Sequence, residues 1–129
     1  MNQRFFQTFN PSSGSIFVLA FCWALLGGML LQFVVLPALP SLHAGHGLLK
    51  GGDWVFFHKK AVALALQMEN SGWGTWELRP HGNAPIGMTA ALYFVVGIYE
   101  PWLILPINAL LFGAATFILH KTFKLIVAT

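Results

Sequence analysis

The side chains able to do chemistry are concentrated in residues 39–85, which hold Asp53, Glu69, Glu77, Lys50, Lys59, Lys60, Arg79, His43, His46, His58 and His81. Asp53 is the carboxylate best placed for it. It follows Gly51-Gly52 and opens the run Trp54-Val55-Phe56-Phe57-His58, where a helix is expected to start. An ionised oxygen there could act as a general base on an acceptor hydroxyl, or orient it. The competing role is an N-cap, with the carboxylate accepting hydrogen bonds from the amides of Val55 or Phe56 and favoured by the helix dipole. His58 stands five residues further on. A helix puts it off the Asp53 face, which suits a solvated imidazole better than a proton relay from Asp53.

The segment Arg79-Pro80-His81-Gly82-Asn83-Ala84-Pro85-Ile86-Gly87 is stiff at two prolines and leads into an apolar run. Its guanidinium matches phosphate geometry, and His81 could add a donor; the alternative is Arg79 snorkelling to lipid head groups. His43 and His46 have a spacing that one helical turn could offer to a metal. The glycines at 45 and 47 favour an open loop instead, with no cysteine partner, so no metal site is expected. A single cysteine, Cys22, excludes an internal disulfide. Walker loops, dinucleotide-binding turns and nucleophile elbows are absent, so no soluble-enzyme chemistry or bound cofactor is indicated.

These groups need elements to position them, and composition says which kind. Apolar residues make up 57% of the 129 and charged ones 9%. Soluble domains carry about 25% charged residues, so an all-α integral membrane protein is expected. The net charge of +3 forms no stripe able to follow a phosphate backbone, which excludes nucleic acid as a partner. Lys50, Lys59 and Lys60 beside apolar segments point instead to membrane lipids.

Residues 16–38 have Gln32 as their only strongly polar side chain and would make a helix about 34 Å long, enough to span a bilayer. Ser12, Ser13 and Ser15 offer N-caps, and Pro37 and Pro40 a stop. Within the polar loop 39–85, Phe57, Ala61, Leu64 and Met68 recur at helical spacing and predict an interfacial helix over 55–70. Trp73 and Trp76 suit head-group depth. A short second span is expected over 86–99, a turn at Glu100-Pro101, and a third span over 102–120.

The loop motif Gly52-Asp53 with Phe57-His58 and Ala61, the Arg79-Pro80 to Pro85-Ile86-Gly87 segment, Leu92 to Gly97 and Pro106 to Leu111 together resemble the N-terminal part of a GT-C glycosyltransferase. The group resembled is the protein mannosyltransferases and aminoarabinose transferases. The resemblance runs from Ile16 to Phe123 and implies a multi-pass enzyme of the inner or plasma membrane. It implies transfer of a sugar from a polyprenyl-phosphate carrier, with Asp53 as catalytic carboxylate and Arg79, His81, Lys59 and His58 toward the substrate. The donor would be the lipid-linked sugar, with no cofactor or metal. Such enzymes have many more spans, so the chain is expected to be part of a longer enzyme or to work with further spans or subunits.

Three spans with an external first loop would put Lys50, Lys59, Lys60, Arg79, Lys121 and Lys124 outside and Arg4 inside, against the positive-inside rule. A competing function is a small non-catalytic subunit packed against a larger membrane complex, in which Asp53 is a cap and Arg79 an anchor.

Overall fold

The computed structural model describes residues 12–127. Its helices are α1 (Ser13–Ala38), α2 (Asp53–Ser71), α3 (Ala84–Val96) and α4 (Leu105–Val127), with single 3-10 turns at Trp73–Thr75, Pro80–Gly82 and Pro101–Ile104. Among the described residues there is no strand, only an isolated antiparallel bridge between His43 and Leu49. Two stretches are long and apolar enough to cross a membrane, Ser13–Ala38 with 26 residues and Pro101–Val127 with 27.

Helix α1 begins earlier than residue 16 because Ser12 caps it, its hydroxyl accepting from the Ser15 amide at 3.1 Å. Near its end the helix widens into a π turn over Leu31–Val35. Pro37 explains the position: its ring would strike the carbonyl four residues back, that of Phe33, and the wider turn relieves that contact. Helix α3 has 13 residues and is therefore about 20 Å long, short of the roughly 30 Å hydrocarbon core. It stops at Gly97, whose left-handed φ of 71° lets its amide bond the Tyr93 carbonyl. The last helix runs past residue 120 to Val127.

The chain forms two compact units, Gly28–Leu105 and the pair of terminal segments up to Gly27 and from Pro106. In the first, α2 packs on α3. Ala61, Ala65 and Met68 of α2 meet Ile86, Ala90 and Tyr93 of α3, and all six are at most 1% exposed. Both triplets follow the i, i+4, i+7 spacing that makes one helix stripe. Alanines in both stripes bring the backbones close, while Met68, Ile86 and Tyr93 supply apolar burial worth about 1.5–3 kcal/mol each. Half of the stripe expected to lie on lipid thus lies on protein: Ala61 and Met68 are buried, and Phe57 and Leu64 line the edge of this core.

Gly87 lets the loop after α2 close on α3, since a Cβ there would stand 2.3 Å from the carbonyl oxygens of both Glu77 and Leu78. Trp76 is tied into the same packing through its indole N–H, which donates to the Gly87 carbonyl at 2.9 Å, and Trp73 meets the Phe94 ring edge-on at 4.9 Å. In the terminal unit, the first turns of α1 run antiparallel to α4. Ser13 Oγ and His120 Nδ1 share a 3.3 Å hydrogen bond, and Gly113 faces the Phe17 ring.

Candidate functional site

The loop after α1 is built by its own backbone. The Ala44 amide bonds the Leu48 carbonyl at 2.9 Å and the Lys50 amide bonds the Leu42 carbonyl at 2.7 Å, closing a small hairpin with His46 near its tip. Gln32, buried in the π turn, donates from Nε2 to the His46 carbonyl at 3.0 Å. Gly47 lies against the same side chain, where a Cβ would come within 2.0 Å of Gln32 Cγ. The glycines that favour an open loop serve here to seat a closed one. His46 adopts φ 51°, a left-handed conformation costly for a residue with a Cβ, and the surrounding bonds hold it there.

That strained residue heads a cluster of polar rings. His46 Nδ1–H donates to the Glu100 carboxylate at 3.1 Å. Its ring lies 5.4 Å, centroid to centroid, from that of His58. His58 Nδ1 in turn shares a 3.0 Å hydrogen bond with the buried Tyr93 hydroxyl. Tyr99, edge-on to Tyr93, donates its hydroxyl hydrogen to Glu69. Partial burial, followed by the neighbouring His46, holds the His58 pKa below its ordinary 6.5, and Glu100 opposes that shift. Burial thus favours the neutral form of the His58 imidazole. Both imidazoles are gripped through Nδ1, which orients the rings.

Of the residues expected at the site, only His58 enters this cluster. Asp53 is the first residue of α2, and the N-cap is Gly52. The capping role expected for its carboxylate is not taken up: Asp53 is exposed and, among the described residues, its side chain makes no hydrogen bond or ion pair. The backbone fills the place, with the Val55 amide reaching the Gly52 carbonyl at 3.3 Å. Lys59, Arg79 and His81 are exposed, and their side chains join neither Asp53 nor the imidazole cluster. His81 sits in its 3-10 turn at φ 53°.

His43 and His46 do not converge. His43 Nε2 accepts the Gly47 amide at 3.1 Å while His46 turns to Glu100. No group of three or more His, Cys, Asp or Glu among the described residues is arranged to hold a metal ion. Gln32, Tyr93 and Glu100 are the members the sequence did not nominate. The isolated Gln32 within an apolar span was the one available signal, because an unpartnered polar group there is costly.

The arrangement offers an unbonded carboxylate on the opening turn of a well-packed helix, and one turn and a half later a neutral imidazole locked by a phenol. The first can accept a proton or a hydroxyl group; the second holds the loop that leads into α2. Comparison with protein-family models, with curated proteins and with solved structures returned no match.

Proposed function

We propose that this chain is the N-terminal membrane portion of a glycosyltransferase that moves a sugar from a polyprenyl-phosphate carrier to an acceptor, with Asp53 as the catalytic carboxylate. The observation that carries this reading is the state of Asp53, exposed and unbonded at the start of a helix whose other end is fixed by the α2/α3 core. A carboxylate engaged in capping would have to give up a hydrogen bond before taking a proton, and Asp53 has none to give up. Arg79, Lys59 and His81, equally unengaged, are the cations available to the leaving phosphate once further spans or a subunit complete the site.

In this reading α1 and α4 cross an inner or plasma membrane, and residues 39–100 stand on the external face with α2 and α3 at the boundary. Both termini then share the inner side with Arg4, Lys121 and Lys124. Within about 15 residues of a span the outer side holds Lys50 alone among Lys and Arg, in keeping with the positive-inside rule. Three spans put six of the seven Lys and Arg outside, whereas two put four outside and three inside.

Among the described residues no hydrogen bond or ion pair joins Arg79, His81 or Lys59 to Asp53, which favours a second reading, a non-catalytic membrane subunit. Asp53→Asn in membranes carrying the complete enzyme separates the two. The amide keeps size and helix compatibility, with a stability change of a fraction of a kcal/mol. Sugar transfer is expected to fall about 10²- to 10⁴-fold at equal protein level, as when a general base is lost. Transfer at the unsubstituted rate would leave the subunit reading.

A further inference from the structure

In the terminal unit, α1 and α4 leave a groove of about 550 Å³ lined by Gly14, Phe17, Val18, Ala114, Phe117 and Ile118. Every lining group is apolar, and the groove falls on two helices able to span a bilayer. One end of it is different. The Lys121 ammonium stands 5.0 Å from the centre of the Phe117 ring, so one wall of the groove carries a cation at its rim. His120 lies beside it, hydrogen-bonded to Ser13, and Lys124 follows one turn on.

No Asp or Glu occurs in residues 1–52 or 101–129, so neither segment brings an acidic side chain to Lys121. An occupant must be apolar along its length and anionic at one end. A second copy of this pair of helices meets the first condition and fails the second, because its matching end is also basic and brings no carboxylate. We infer that the groove seats one acyl chain of an anionic phospholipid, with the head-group phosphate held at Lys121 and His120. The inference is independent of sugar transfer, which is assigned to the other unit.

The full chain, purified in detergent, can be titrated with phosphatidylglycerol or phosphatidylcholine of identical acyl chains and the bound lipids counted by native mass spectrometry. The unsubstituted chain should retain phosphatidylglycerol in preference. Lys121→Gln should lower that preference about fivefold, the effect of one interfacial cation, while leaving phosphatidylcholine retention unchanged. Gly14→Leu should lower retention of both lipids, because its side chain fills the groove, and the nearest atom to a Cβ there is Ser12 Oγ at an unstrained 3.8 Å.

Equal retention of the two lipids by the unsubstituted chain would overturn the proposal, as would a preference that survives Lys121→Gln. Loss of a dimer mass in place of bound lipid on Gly14→Leu would assign the groove to a second copy and overturn it equally. An unchanged far-ultraviolet helix signal in both variants ties the losses to the groove rather than to misfolding.

Discussion

The α2/α3 hairpin and the α1/α4 pair are each two packed helices, yet they bury their apolar side chains against different things. In the hairpin Met68, Ile86 and Tyr93 are sealed in one core, Gly87 lets the Glu77-Leu78 backbone close on α3, and Trp76, His58 and Tyr93 find hydrogen-bond partners. In the terminal unit only Ala109 and Gly113 are buried among the described residues, while Trp23 is 79% and Leu119 70% exposed. A hairpin of the first kind carries its own core. The second kind has packing at small residues and a rim of large apolar side chains, which is stable only where the surroundings are as apolar as the helices. Chemistry that needs a fixed carboxylate is therefore expected on the hairpin, and lipid contact on the pair.

Matched substitutions in the two regions should have unequal effects. Gly87→Leu is expected to be the most damaging, at about 3 kcal/mol or more, because the collision is with backbone carbonyls. Gly27→Leu, with nothing within 4 Å of its would-be Cβ, should leave unfolding in detergent unchanged or slightly delayed. Thermal unfolding of the two variants side by side is the measurement.

Truncation should give the next largest difference. Met68→Ala removes a fully buried side chain and should cost about 2–4 kcal/mol. Leu119→Ala should cost well under about 1 kcal/mol in detergent, the typical size of surface effects, since its side chain is mostly exposed. A comparable loss in both would show that the terminal pair also depends on a protein core.

The smallest effect concerns pH. The folded state holds the His58 pKa below its ordinary 6.5, so below about pH 6.5 the unfolded chain takes up a proton that the folded chain resists. Stability should fall as the pH drops through that window, and level off below the depressed value. His58→Gln should flatten the curve, as followed by unfolding midpoints between pH 7.5 and about 5. A midpoint that rises on acidification in the unsubstituted chain would contradict the environment assigned to His58.

What the sequence made legible follows from the range of the interactions. Helices over 16–38 and 55–70 are visible from local composition and spacing, and they are observed as Ser13–Ala38 and Asp53–Ser71. The 86–99 run shares its composition with a spanning helix. Only the packing of Ile86, Ala90 and Tyr93 on α2, and the left-handed cap at Gly97, reveal a short hairpin arm.

Asp53 is in the helix by one residue more than a cap would be, a shift that spacing cannot resolve and that decides whether its carboxylate is engaged. His46 and Glu100 are separated by 54 positions. Nothing local in either segment points to the other, since Glu100 beside Pro101 carries the composition of an ordinary turn. Trp76 likewise has the composition of a membrane-surface anchor, and only the proximity of Gly87 turns its N–H inward.

In the proposed topology two helices cross the membrane while the hairpin bearing Asp53 stays on one face. Single cysteines introduced as Lys50→Cys, Glu77→Cys and Lys121→Cys in a Cys22→Ser background test it with a membrane-impermeant thiol reagent on sealed, oriented vesicles. Cys22 is exposed on α1, so its removal is needed for a clean signal. Positions 50 and 77 should label from the external side and position 121 only after the vesicles are opened. Labelling of positions 77 and 121 from the same side would mean that α3 crosses as a third span, and labelling of 50 and 77 from opposite sides would remove the single external platform altogether.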